Sequence, residues 1–381
     1  MNRAAIVCFF GLGLLLPWNL VSFANENAAL EKQLSLAGKN RDQLEKALAL
    51  ATQAEKKGME FLVANMPEAD LQKLGAEFLL ENARLAYQAR KETPWGQAPP
   101  EEIFLNHVLP YANVDEKRDP WRKEFHELCL PMVKECKTAT EAVQKLNGEL
   151  FKTLKVNYSP QRRAPNLSPK ESLAQGNASC TGLSIILVNA CRAVGIPARL
   201  VGTPNWIDKR GNHTWVEIWD EGWHFTGACE PDPKGLNRGW FTADASKAIQ
   251  DSPEHAIFAV TFAKSKQHFP LVWARNDKSI PGENVTSRYT PKAAPAKLAR
   301  VSIKVLNAEK KRVALAVQLF LPGQEKSLAQ GTSKGETADL NDFLTFELEP
   351  QKEFLLRTGK KETRFRTRSG GEHQILEIQL P

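Results

Sequence analysis

Apolar positions along the chain fall into three successive patterns. From residue 25 to about 158 they recur at helical spacing. Leu44, Leu48 and Leu50 join Ala47, Ala51 and Ala54 in a helix predicted over 42–61. Pro67-Glu68-Ala69-Asp70 opens a second helix that carries Leu71, Leu74, Phe78, Leu79, Ala83 and Ala86. Asp119-Pro120 precedes a third over 121–136, and Thr138-x-x-Glu141 reads as a capping box for a fourth over 139–154. Between 157 and 290 short strands and helices alternate. Ser168-Pro169-Lys170-Glu171 is another capping box, with Pro at the first helical position. The polar run Gln175 to Cys180 leads into an apolar helix over 181–194, closed by Gly195. Residues 197–201 read as a strand, and 214–219 with 223–226 as a hairpin around Asp220-Glu221-Gly222. After a Pro-containing linker, 288–296, strict alternation takes over at Val301/Ile303/Val305, Val313/Leu315/Val317/Leu319, Leu344/Phe346/Leu348 and Leu376/Ile378/Leu380. Period two with Gly and Asn/Asp turns between the runs predicts an antiparallel β-sandwich.

The pattern therefore predicts an α+β protein: a helical domain over 25–160, a mixed core over 161–290 and a β-sandwich accessory over 297–381. Residues 1–24 read differently. Arg3 is followed by an uncharged stretch, dense in apolar residues up to Leu16, then by Pro17 and Ser22-Phe23-Ala24. Charge, apolar run and small-residue cleavage site stand in the order of a signal peptide. The stretch is long enough to span a bilayer, but Pro17 and the Ser-x-Ala ending fit a peptidase better than a lipid core. The expectation is an exported protein, periplasmic or extracellular, with no stable membrane insertion after cleavage.

Composition narrows the classes. Apolar residues make up 42% and charged residues 25%, with 23 Gly and 23 Pro, which excludes a collagen, a low-complexity chain and a polytopic membrane protein. The net charge of +7 is spread over 381 residues, and no nucleic-acid partner is expected. There is no phosphate-binding Gly loop, dinucleotide fingerprint, His-Glu-x-x-His or paired Cys-x-x-Cys. No cofactor and no metal are expected.

One pair of residues carries chemistry. Cys180 stands at the start of the apolar helix, where unpaired N–H groups and the helix dipole favour a thiolate and can donate to an oxyanion. His213 opens a predicted strand after the polar loop 208–212 and supplies a proton acceptor. A Cys at a helix start facing a His on a strand is the arrangement of papain-like nucleophilic catalysis. Five of the nine tryptophans fall between Trp206 and Trp240. Trp206 and Trp215 either wall a cleft or fill the core.

The surrounding words are specific. Cys180-Thr181-Gly182 leads a helix ending in Gly195-Ile196-Pro197-Ala198-Arg199, followed by His213-Thr214-Trp215-Val216-Glu217 and Gly222-Trp223. Residues 165–245 resemble the transglutaminase-like (papain-like cysteine) superfamily. Ala228-Cys229-Glu230 and Val285-Thr286-Ser287-Arg288-Tyr289 are more loosely similar to its peptide:N-glycanase branch. The resemblance implies a Cys–His–Asp triad with Cys180 as nucleophile and His213 as base. The third member departs from the pattern, because Gly227 stands four residues after the strand tryptophan where the family has Asp. Of the nearby carboxylates Glu230 and Asp232, Glu230, whose longer side chain could reach back, is the expected replacement; the alternative is that no third member exists. Glu217 lies on the same side of its strand as His213 and is read as supporting the fold. In papain-like enzymes a Gln upstream of the Cys donates to the oxyanion, and Gln175 is the candidate.

These readings imply an exported thiol enzyme that cleaves or transfers an amide of a peptide or glycoprotein. The alternative is a catalytically weakened fold that binds protein or glycan. The sandwich is expected to be dispensable for chemistry on small substrates. Of the six cysteines, Cys8 leaves with the signal and Cys180 stays free. Cys129–Cys136 and Cys191–Cys229 remain possible disulfides, since Cys180 and Cys191 lie about 16 Å apart along one helix.

Overall fold

The computed structural model describes residues 30–290 and 298–381. The expected signal peptide, Cys8 and most of the linker lie outside the described residues. The chain divides into two compact units between Leu80 and Glu81.

The first unit holds helices α1 (Arg41–Leu50), α2 (Lys56–Asn65) and α3 (Glu68–Leu71). The helix predicted over 42–61 is broken in two. Thr52 N–H donates to the Glu55 carboxylate at 3.1 Å, and the Thr52 carbonyl accepts from Glu55 and Lys56 N–H. This local exchange caps a new helix where periodicity alone reads straight through. Leu44, Ala47, Met59, Leu62, Val63 and Leu71 form the buried face. Helix α4 (Ala76–Glu92) begins in the first unit and ends in the second.

The second unit contains α5 (Glu101–His107), α6 (Arg122–Val133), α7 (Ala139–Leu154), the short strand β1 (Asn157–Tyr158), α8 (Pro169–Gln175), β2 (Asn177–Ala178) and α9 (Cys180–Ala193). Ser168 and Glu171 form the predicted capping box of α8. Thr138 caps α7 through Glu141 N–H, but the Glu141 carboxylate turns to Lys137 N–H at 2.7 Å, so only half of that box is made. Helix α9 is buried from Thr181 to Ala193. Leu183, Ile186, Leu187 and Val188 of α9 share one core with Phe125 and Cys129 of α6 and with Val143, Leu146 and Leu150 of α7. Residue 160 is therefore no packing boundary, because α9 has no exposed face and is covered by α6 and α7 as well as by the sheet.

That sheet has six strands in the order β5-β4-β3-β6-β8-β7: β3 (Ala198–Thr203), β4 (His213–Trp219), β5 (Trp223–Thr226), β6 (Phe258–Val260), β7 (Gln267–His268) and β8 (Pro281–Asn284). Every neighbouring pair is antiparallel. Strands β6–β8 are too short to show alternation in sequence. Gly282 permits their close approach: a Cβ there would meet the Phe269 backbone nitrogen at 2.7 Å. The short helices α10 (Thr242–Ala245) and α11 (Thr286–Tyr289) complete this part.

The C-terminal segment forms two sheets. Strands β10 (Ala316–Phe320), β11 (Ala329–Thr332), β13 (Glu353–Thr358) and β14 (Lys361–Arg366) pair in the order β11-β10-β13-β14. Strands β9 (Ala299–Leu306), β12 (Leu344–Leu348) and β15 (His373–Gln379) pair in the order β12-β9-β15. The pairing is antiparallel except between β9 and β15, which run parallel. Val301, Ile303, Val317, Leu319, Phe346, Leu348, Leu356 and Ile378 from both sheets meet in one core, as the alternation predicted.

The sandwich is tied to the mixed core through polar contacts. Asp244 of α10 is ion-paired to Arg210 and to Arg300 of β9. Asp208 pairs with His373 of β15, whose Nε2 lies 2.8 Å from Ser302 Oγ. Arg210 donates to the Asn341 carbonyl at 2.7 Å, and Asn341 donates to the Asn212 carbonyl at 2.8 Å.

Candidate active site

Cys180 is the first residue of α9, and the N-cap Ser179 accepts from Gly182 N–H at 3.0 Å. The β1–β2 pairing of Asn157 with Asn177 and Tyr158 with Ala178 fixes the backbone just before the sulfur. His213 is the first residue of β4, held opposite Thr203 of β3. Between β11 and β12, the turn of the sandwich points Asp339 at the same place. Thiol, imidazole and carboxylate ligand atoms of Cys180, His213 and Asp339 all lie within 4.8 Å of one another. His213 Nδ1 is 3.7 Å from Asp339 Oδ2, and neither ring nitrogen has a hydrogen-bond partner among the described residues. Asp339 and His213 are 2% and 3% exposed, so their attraction is poorly screened.

Several contacts hold the Asp339 turn. Asn341 N–H donates to Asp339 Oδ1 at 2.8 Å, Arg312 donates to the Asp339 carbonyl at 2.9 Å, and Leu340 N–H donates to Tyr158 Oη at 3.0 Å. Asp339 escaped the sequence reading because Asp-Leu-Asn-Asp between two alternating runs has the look of an ordinary turn. The expectation that the sandwich is a dispensable accessory does not fit this geometry, since the sandwich contributes one of the three clustered groups.

Burial dominates the protonation states. It pushes the Cys180 thiol up to about 12, with the Asp339 charge adding to the effect and the Thr214 and Thr181 N–H groups opposing it. The predicted lowering by the helix start is therefore outweighed by desolvation. Burial, and then the Arg210 charge, hold His213 down at about 3. Asp339 is raised to about 6 by burial, against the pull of Asn341 N–H and nearby arginines. At neutral pH the set is a thiol, a neutral imidazole and a carboxylate. Neither Cys180 nor His213 charges alone, but passing the thiol proton to the imidazole creates two opposite charges beside each other, with Asp339 next to the imidazolium.

The remaining predicted residues are placed as follows. Glu230 makes no hydrogen bond to the imidazole: its carboxylate accepts from Trp240 Nε1 at 2.8 Å. A bridge between Gly227 and Glu230, with Cys229 at φ 67°, folds the chain back so that this carboxylate lies over Gly227. A Cβ on Gly227 would meet Glu230 Oε2 at 2.7 Å, so Glu230 fills the space of a side chain at 227. Trp240 in turn lies with its ring 4.6 Å from the His213 ring. Gln175 turns away from the sulfur; its amide nitrogen donates to Asn177, and its oxygen accepts from Arg163 N–H at 3.2 Å. Trp215 is fully buried and donates to Tyr289 Oη at 2.9 Å. Trp206 stacks on Trp215 at 6.3 Å and lies 6.1 Å from the His213 ring. Both pack around the histidine, while a small pocket that opens at His213 is walled by Phe269, Pro270, Val272 and Trp273. Glu217 accepts from Arg199, Arg288 and Tyr289, a structural role as expected.

All five cysteines among the described residues are free, so the two possible disulfides are not formed. Cys129 and Cys191 instead lie fully buried in the apolar core around α9. Two trios bring potential metal-ligand atoms together: Cys180 with His213 and Asp339, and Asp208 with Asp244 and His373. In the second, the ion pairs of Asp244 with Arg210 and Arg300 already supply the positive charge. Among the described residues no helix is long and apolar enough to cross a membrane.

Residues 126–245 match the model of the transglutaminase-like superfamily, less than a third of the chain. No curated protein matches the sequence. Among solved structures, the chain is similar to a candidate cysteine protease from Cytophaga hutchinsonii, with 19% identity and a TM-score of 0.25, covering 30% of this chain and 40% of that one. It is also similar to the transglutaminase of red sea bream, with 11% identity and a TM-score of 0.33, covering 72% of this chain and 66% of that one. In both cases the chain spans less than two thirds of the relative's length. Neither is a peptide:N-glycanase, and that looser resemblance rests on the sequence words alone.

Proposed function

We propose that this protein is an exported thiol enzyme acting on an amide of a peptide or glycoprotein. Cys180 passes its proton to His213 and attacks the carbonyl carbon. The imidazolium then protonates the leaving amine as the C–N bond breaks. Water, deprotonated by the same imidazole, resolves the acyl-enzyme and regenerates the thiol. Asp339 stabilises the imidazolium and acts as the positioning residue of the set. The meeting of Cys180, His213 and Asp339 within 4.8 Å carries this reading. The match at 126–245, which contains Cys180 and His213, supports it.

The weakened, binding-only reading draws on a different observation, the burial that keeps thiol and imidazole uncharged. One experiment separates the two. Para-nitrophenyl acetate transfers its acetyl group to a competent thiol and releases nitrophenol. An acetyl thioester at Cys180, located by peptide mass spectrometry and lost in His213→Ala, is the expected result. No acetylation of Cys180, or acetylation equal in His213→Ala, would favour the binding module.

A further inference from the structure

The arginines around the site are almost all occupied. Arg210 is paired with Asp208 and Asp244, Arg300 with Asp244, and Arg163 with Glu171. Arg312 donates to the carbonyls of Asp339 and Asp342. Arg162 differs. It is half-buried, its guanidinium donates only to the Pro160 carbonyl at 3.0 Å, and it has no carboxylate partner among the described residues.

Its position is set by the strand pair that leads to the sulfur. Ser159 N–H donates to the Ala178 carbonyl at 2.9 Å, continuing the β1–β2 ladder. Pro165 accepts from Ser179 Oγ, and Arg163 N–H reaches Gln175. Residues 159–165 therefore wrap the segment immediately before Cys180, with Arg162 at the middle of the wrap. The field of the Arg162 charge reaches Cys180, Tyr158 and Asp339 alike.

We infer that Arg162 selects substrates bearing a carboxylate next to the scissile amide. A guanidinium on the segment that wraps the nucleophile, with no direct ion pair of its own, is the ready partner of such a group, and its planar donors suit a carboxylate. This inference rests on Cys180 as the reacting atom and adds the chemical class of what it reacts with.

Two alkylating probes of similar size test it on the full chain. Iodoacetate and iodoacetamide both lose iodide to the Cys180 sulfur, but only the first is an anion. The measured quantity is the ratio of their rates at Cys180, read by peptide mass spectrometry. In Arg162→Ala this ratio is expected to fall by at least about threefold, the factor for one unit charge acting on another from about 6 Å through water. Arg162→Lys should retain most of it. If Arg162 merely raised the thiolate fraction, both rates would fall together, and an unchanged ratio overturns the inference. The absolute iodoacetamide rate reports the nucleophile itself, so failure of the enzymatic reading shows there and not in the ratio. Chloromethyl ketones of benzyloxycarbonyl-Glu and benzyloxycarbonyl-Gln then distinguish the source. A Glu preference lost in Arg162→Ala assigns the carboxylate to an acidic side chain on the acyl side. Equal rates, with the iodoacetate preference kept, assign it to the leaving-group side.

Discussion

Replacing Asp339 by Asn is the most direct perturbation of the trio, because it removes one charge and almost no volume. Asn keeps an oxygen to accept Asn341 N–H, now at 2.8 Å, so the turn has little reason to move. What disappears is the carboxylate 3.7 Å from His213 Nδ1. For groups this buried, an effective dielectric near 20 applies, and the imidazolium–carboxylate attraction comes to about 4 kcal/mol. That energy is felt only once the imidazole is charged, in the ion pair and the transition state. The same carboxylate lies within 4.8 Å of the thiolate and repels it by about 3 kcal/mol, so the net gain of about 1 kcal/mol predicts a fall of about fivefold in the thiolate–imidazolium population. The assay is the second-order rate of iodoacetamide labelling at Cys180 at pH 7.5, with buried Cys129 and Cys191 as internal controls. In the wild-type protein the rate should climb as pH rises through about 6, where Asp339 ionises, and Asp339→Asn should lack that limb. A variant that labels as fast as wild type, or faster, would refute the role of Asp339.

Other substitutions probe the surroundings. Burial raises Glu230 to about 8, so the folded state resists its ionisation and loses stability as pH rises from the ordinary carboxylate range to about 8. Glu230→Gln, which can still accept from Trp240, should raise the melting temperature, most at pH 8 and above. Because Glu230 retains some exposure, a gain of about 2 kcal/mol is expected there, with none near pH 4. A gain that is equal at both pH values would show that ionisation is not the cause. Glu217→Gln leaves the buried Arg199 guanidinium short of its main counter-ion and should cost about 3 kcal/mol in denaturant unfolding. A loss under about 1 kcal/mol would mean that Glu283 compensates.

Local signals in the sequence were enough to find Cys180 and His213, because each sits at an end of an element. Ser179 caps a helix whose apolar run is unmistakable, and His213 opens a strand that follows a polar loop. The sandwich was equally legible, since its alternation is two-sided and long. Asp339 was not, because its role depends on how two parts of the fold dock. Nothing within a few residues of 339 encodes the Arg210–Asn341 and Tyr158–Leu340 contacts that aim it. The protonation states depend on packing for a related reason. A helix start lowers a thiol pKa when the site is wet, and the groups packed around Cys180 come from distant parts of the chain.

The Glu230 carboxylate lying over Gly227 has an evolutionary consequence. An aspartate at 227 would require the Glu230 side chain to swing away, because the new Cβ would stand 2.7 Å from Oε2. Removing Glu230 first would strip Trp240 of its acceptor and loosen the ring beside His213. The two positions therefore change as a pair: what is tolerated at 227 depends on what stands at 230.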